Sequence, residues 1–339
     1  MLRLLVRTHV LPSLVGLALV LVSGSALAQY KAINLDSNLS GQAMHTDPLL
    51  KNAWGLAYAP TGPFWISDEA SGWSTLYDGR GNKQGLQVIV PPASGTGQGT
   101  PTGIVYNGSQ EFQIQNWTSL FLFATLDGTI SGWSAFNPSA ALIGVTSPGS
   151  VYTGLAITSK VSGNFLFAAD SANNKVDIYD ANFSLVKSFT DPSIPAGFAP
   201  FGIQDIQGKL FVSFASTTGG LGGYIDIFGE DGTFLKHFTH GAPLIQPWGF
   251  ALAPANFAAL SDTLLISNNS SPGTINGYNR TTGKFVGTMT DIHGNPLKID
   301  GLWGIEFGGG SSANGLKNQL FFTSGPNDTD GYFGVIVTQ

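Results

Sequence analysis

Apolar and polar residues alternate along this chain in short runs separated by Gly, Asn, Asp and Pro. A period of two puts successive side chains on opposite faces of a strand. Beyond the first thirty residues no stretch keeps the helical spacing of about 3.6. Only Pro254-Ala-Asn-Phe-Ala-Ala-Leu260 is set for a single helical turn.

The runs recur as a unit. Six copies open on a residue followed by Gly and then apolar alternation: Trp54-Gly55-Leu-Ala-Tyr, Thr102-Gly103-Ile-Val-Tyr, Thr153-Gly154-Leu-Ala-Ile, Phe201-Gly202-Ile-Gln-Asp, Trp248-Gly249-Phe-Ala-Leu and Trp303-Gly304-Ile-Glu-Phe. The glycines are 48, 51, 48, 47 and 55 residues apart. A second run follows each, as in Phe64-Trp-Ile-Ser-Asp68 and Leu120-Phe-Leu-Phe-Ala124, and a third ends on an aromatic in most copies, as in Lys175-Val-Asp-Ile-Tyr179. Several copies add a fourth, such as Leu185-Val-Lys-Ser-Phe189 and Phe234-Leu-Lys-His-Phe238. Four short strands in a repeat of this length predict a β-propeller blade. Six copies predict a six-bladed propeller of four-stranded antiparallel blades, one domain over residues 29–339. The last copy stops after its third strand, Gly334-Val-Ile-Val-Thr338, so Ala32-Ile-Asn-Leu35 is expected to supply the missing outer strand and close the ring.

The first 28 residues read differently. Met1-Leu-Arg-Leu-Leu-Val-Arg7 precedes an apolar stretch from Val10 to Val22 and the small-residue sequence Ala26-Leu27-Ala28. That is the order of a secretory signal, with cleavage expected after Ala28 and a secreted or periplasmic product. The apolar stretch rises only about 20 Å as a helix, short of a bilayer core of roughly 30 Å, and no later segment is long enough to span one. Composition narrows the classes further. With no cysteine there is no disulfide framework and no thiolate metal site or nucleophile. A formal charge of −6 without a basic run argues against nucleic acid as partner.

Pro247-Trp-Gly-Phe-Ala-Leu, with Leu264-Leu-Ile-Ser-Asn and Gly273-Thr-Ile-Asn-Gly-Tyr, resembles an NHL-type propeller repeat. Taken together, Asn52-Ala-Trp-Gly-Leu-Ala, Thr61-Gly-Pro-Phe-Trp-Ile-Ser-Asp68, Asp127-Gly-Thr-Ile-Ser-Gly-Trp133, Gln246-Pro-Trp-Gly249, Asp300-Gly-Leu-Trp-Gly304 and Gly325-Pro-Asn-Asp328 resemble a family of largely uncharacterised exported bacterial propellers. Some of its members carry a PEP-CTERM-type sorting tail, for which this sequence has no counterpart. The resemblance implies the fold and supplies no activity or catalytic residues.

In a propeller, the loops before the first strands and those between second and third strands share one face. On that face the sequence places His45 and Asp47, Asp68 and Glu69, Asp127, Asp170 with Asn173 and Asn174, Asp191, His240, Asn268 and Asn269, Asp300, and Asp328 with Asp330. Trp54, Trp248 and Trp303 start inner strands at the mouth of the channel. An acidic, aromatic-rimmed face is expected, presented to a small molecule, a glycan or a protein, with Trp54, Trp248, Trp303, His45 and Asp47 as ligand-binding candidates. The alternative is a metal-dependent, lactonase-like hydrolase at the channel. Its candidate ligands are Asp68, Glu69, Asp170, Asn268 and Asp300, whose oxygens suit Ca²⁺. Asp and Asn also serve as ordinary turn residues. Gly95-Thr-Gly97-Gln-Gly99 lacks the lysine and helix of a phosphate loop. His237 and His240, three apart, do not share one strand face, and neither G-x-S-x-G nor H-E-x-x-H is present.

Overall fold

The computed structural model describes residues 29–339, so the expected signal segment lies outside the described residues. Six sheets surround an axis, and each contains the four strands expected of it. The innermost strands are Ala53–Tyr58, Pro101–Tyr106, Tyr152–Ile157, Phe198–Asp205, Pro247–Leu252 and Leu302–Phe307, numbered below as blades 1 to 6. Each touches the inner strands of both neighbours, and the contact of Leu302–Phe307 with Ala53–Tyr58 completes the circle.

The sixth sheet holds the closure. Tyr30–Ser37 pairs antiparallel with Tyr332–Thr338 as the missing fourth strand, with His45–Thr46 parallel beside it. Tyr30 anchors this strand: its hydroxyl donates to the Phe257 carbonyl and accepts the Leu260 N–H, both at 2.8 Å. The expected helical turn beside it is a single 3-10 turn, Ala258–Leu260. Among the described residues no helix is long and apolar enough to cross a membrane.

Six apolar clusters fill the six blade-to-blade junctions. The junction of blades 1 and 2, for example, joins Ala57, Trp65 and Val88 to Ile104, Phe121 and Phe123. Middle strands such as Phe121–Thr125 and Leu166–Asp170 are buried on both faces, which is why their runs are almost uninterruptedly apolar. Outer strands such as Leu185–Phe189 are mostly exposed and carry lysine, as edge strands do. The repeated glycine marks where adjacent inner strands come closest. A Cβ on Gly55 would sit 2.6 Å from the Thr102 carbonyl oxygen, and one on Gly249 2.8 Å from that of Trp303.

Candidate functional site

Aromatic residues before the inner glycines meet near the axis. Four of the six such positions are aromatic, and they close the channel. Trp54, Trp248 and Trp303 form a buried cluster with Phe201 and Leu126 against it. Trp54 stacks on Trp303, and both meet Trp248 edge to face at ring separations of 6.3 and 5.8 Å. The Trp248 indole N–H donates to the Thr153 carbonyl at 2.9 Å, and that of Trp303 to Asn52 Oδ1 at 3.1 Å. Tryptophans expected at the mouth thus form a plug in which two of the three indole N–H groups are tied to the protein.

The other expected residues lie around this plugged end. His45 is exposed on its short strand. Asp47 is buried, accepting the Tyr77 hydroxyl at 2.6 Å and pairing with Lys83 at 2.8 Å. Asp68, Asp170 and Asn268 each end the second strand of a blade and brace the loops beside it. Asp68 Oδ2 accepts the backbone and hydroxyl of Thr75, and burial holds its pKa well above the ordinary carboxylate range. Asp170 takes the Val151 N–H and the Asn173 amide, and Asn268 takes the Ile245 N–H while donating to the Pro243 carbonyl. Glu69 accepts the Asn52 amide at 2.7 Å, and burial raises its pKa. Asp300 is exposed. Among the described residues, no three carboxylates of the set Asp68, Glu69, Asp170 and Asp300 gather within 4.8 Å of one another.

Past the glycines the channel widens, because Leu56, Ala57, Leu155 and Ala156 line it in place of indoles. A cavity of about 240 Å³ runs from Trp248 at its floor toward the face where the inner strands end. A groove of about 400 Å³ continues from it between the loops of blades 2 and 3, sharing Tyr106 and Ser159. Glu111 clamps that rim by accepting the N–H groups of Gly163 and Asn164 at 2.8 and 2.9 Å. The open end of the channel is therefore opposite the face rich in Asp and Asn.

Polar side chains line the cavity beside small apolar ones, and two of them break the six-fold repeat. Two residues after the inner glycine stand Ala57, Val105, Ala156, Gln204, Ala251 and Glu306. The two exceptions, Gln204 and Glu306, both line the cavity, with Asp205 beside the first. Burial alone pushes Glu306 up to about 8, so its carboxyl is mostly protonated at neutral pH. Asp205 rises to about 6 through burial, with Glu230 adding to the effect. Its Oδ1 accepts the Gly208 N–H at 3.0 Å, while its buried Oδ2 has no partner. On the same face Trp117 and Phe136 stack 4.7 Å apart and 10° from parallel, each about half exposed at 50% and 55%. Reading the loops for chemistry missed Gln204 and Glu306. The signal was in the repeats, where Ile-Gln-Asp and Ile-Glu-Phe replace apolar residues.

No family model matches the chain. "Uncharacterized protein R648" of Acanthamoeba polyphaga mimivirus is 32% identical over 336 residues, covering 92% of this chain and 81% of the viral protein. "Uncharacterized protein L690" of the same virus is 30% identical over 305 residues, covering 83% and 79%. Among solved structures, a glucose dehydrogenase superposes with a TM-score of 0.57 at 11% identity, covering 90% of this chain and 98% of its own. A gluconolactonase from Xanthomonas campestris gives 0.56 at 13%, covering 86% and 88%. At such identities the likeness is one of fold.

Proposed function

We propose that this chain, which belongs to the same family as the mimivirus protein R648, is a ligand-binding propeller that takes a small hydroxylated molecule into the cavity opposite its tryptophan plug. The observation that carries this reading is the pair of hydrogen-bonding side chains, Gln204 and Glu306, that break the repeat on the cavity wall. A protonated Glu306 offers an O–H donor and a C=O acceptor, and the Gln204 amide offers both as well. Small-molecule sites are concave and use a few placed polar groups to fix the orientation of the ligand. At about 240 Å³ the cavity has room for several waters and so for a small polar molecule. The Trp117–Phe136 pair adds a flat exposed surface on that face, which suits the terminal sugar of a glycan. Screening mono- and disaccharides by saturation-transfer NMR tests this, with quenching of the Trp248 emission as a second readout. Glu306→Leu should abolish binding. A panel without a binder, or a Glu306→Leu protein that binds equally well, overturns it.

The same proposal sets the protein in the periplasm or outside the cell, on the strength of the leader-like Met1–Ala28. N-terminal sequencing of the exported product, beginning at Gln29, checks this.

The alternative, a Ca²⁺-dependent lactonase-like hydrolase, is supported by likeness of fold to a gluconolactonase and by the acidic groups of the channel. At the plugged face Asp68 Oδ2, Asp170 and Asn268 are taken up by their own loops, and Asp68 Oδ1, though unpartnered, has no cluster of further carboxylates from that set gathered with it as a cation shell would require. Hydrolysis of an aldonolactone that requires Ca²⁺ and is lost in Glu306→Leu would favour this reading over binding alone.

A further inference from the structure

We propose that Asp191, Asp226 and His237 form a divalent transition-metal site on the flank of blade 4, with Zn²⁺ as the ion their chemistry fits. These are the one set of three carboxylate or imidazole groups among the described residues whose ligand atoms all lie within 4.8 Å of one another. His237 Nδ1 is 2.9 Å from Asp226 Oδ1 and 3.5 Å from Asp191 Oδ2. Ligand atoms held about 2.0–2.2 Å from one tetrahedral metal lie roughly 3.3–3.6 Å apart, so the longer contact already fits and the shorter one would open by about 0.4 Å.

Two features mark this as more than a chance pairing of charges. Asp226 and Asp191 are almost wholly buried, at 1% and 6% exposure, and the Oδ2 of each has no hydrogen-bond partner. The Oδ2 of Asp191 is the atom directed at the imidazole, while its Oδ1 is fixed by the Ser193 N–H at 2.7 Å. Buried oxygens left in this state are costly unless a cation or proton occupies the space between them.

The second feature is the contrast with the neighbouring blades. The register that sets Asp226 opposite His237 sets Asp177 opposite Ser188 in blade 3 and Asn276 opposite Thr288 in blade 5. Asp177 is satisfied by Lys175, Ser188 and the Tyr152 hydroxyl, and Asn276 Oδ1 by Thr288 at 2.7 Å. Blade 4 has Tyr224 where blade 3 has Lys175, His237 in place of Ser188, and a second carboxylate, Asp191, brought in from the preceding loop. The set therefore carries two acids against one imidazole.

The arrangement also meets the demands of metal ligation. His237 presents Nδ1 to the carboxylates and its Nε2 lies 3.4 Å from Ser193 Oγ, the kind of outer contact that fixes a ligating imidazole. At 53% exposure its ring leaves the site open to solvent, so ions can enter and water can complete the shell. One nitrogen and two carboxylate oxygens suit Zn²⁺, whereas an all-oxygen shell would suit Ca²⁺.

The test is calorimetric titration of the chelator-treated protein with Zn²⁺, with Ca²⁺ in parallel. One equivalent of Zn²⁺ should bind saturably, and Asp226→Asn and His237→Ala should each weaken it at least tenfold. His240→Ala, which alters a ring stacked on Tyr224, should leave it unchanged. Should Asp226→Asn fail to fold, imidazole NMR of the unaltered protein decides: Zn²⁺ must shift His237 and leave His45 and His293 in place. Absence of saturable Zn²⁺ binding, unchanged affinity in His237→Ala, or a His237 resonance indifferent to Zn²⁺ overturns the proposal and leaves a proton as the only cation shared by the two acids.

Discussion

Trp54 and Trp303 stack face to face, 3.6 Å between ring centroids and 20° from parallel, across the junction where the last blade meets the first. Their indole N–H groups differ. That of Trp303 is bound to Asn52 Oδ1, and that of Trp54 is buried without a partner. Replacing either by Ala should cost roughly 3–5 kcal/mol through lost packing. Replacement by Phe separates them, because Trp303→Phe also strands Asn52 Oδ1, a further loss of about 1 kcal/mol or more. Urea unfolding midpoints should rank wild type, then Trp54→Phe, then Trp303→Phe. The reverse order would show that the Asn52 contact adds nothing.

The glycine of the repeat admits a contrast within one blade. Gly55→Ala drives a Cβ to 2.6 Å from a backbone oxygen, while Gly85, on the outer strand Lys83–Ile89, has no heavy atom within 4 Å of that position. Overpacking of this kind costs about 1–3 kcal/mol. Gly55→Ala should lower the melting temperature, and Gly85→Ala should hold or raise it through the less flexible unfolded chain.

Tyr30 holds the closing strand through one hydroxyl that donates to Phe257 and accepts from Leu260. Tyr30→Phe leaves a buried carbonyl and a buried N–H unpaired, at about 1–3 kcal/mol. Hydrogen exchange should rise over Tyr30–Ser37 and Tyr332–Thr338 before it rises in blades 2 to 4. A uniform rise would show that the closure opens only with the whole ring.

Stability should fall with rising pH from about 5 to 9. Asp36, Asp205 and Glu306 are raised in the folded state to about 7, 6 and 8, chiefly by burial, from unfolded values near 4. Each binds its proton more tightly when folded. Its contribution is therefore complete below pH 4 and is lost as the pH passes its folded value. Melting temperatures measured from pH 5 to 9 should decline, and Glu306→Gln should flatten the upper part of the decline. A level or rising profile contradicts the assignment.

The architecture was legible because its causes are local and repeated. Gly55, Gly103 and their four equivalents are demanded by close approach of neighbouring strands, so they recur at near-constant spacing. The closing strand was legible from the blade left one strand short, though it is longer than the four residues expected. The site was harder to read. Whether Trp54 rims a channel or fills it depends on rings contributed from the far side of the axis, some 250 residues away in the case of Trp303. Loop acids stand out by their number, yet Asp47, Asp170 and Asp191 accept N–H groups of their own turns. Glu306 and Gln204 stand out only when the six inner strands are compared position by position. Asp226 and His237 meet through strand register, which the spacing of His237 and His240 does not disclose.

The pairing of Tyr30–Ser37 with Tyr332–Thr338 joins strands from opposite ends of the described chain. Made from the N-terminus, the chain carries its first strand unpartnered while some three hundred residues are added, and no earlier blade can take it up without excluding the last. The final segment is thus the fastener of the whole ring. Truncation anywhere within it frees two strand edges at once, one at either end of the chain, and such edges invite pairing with other molecules.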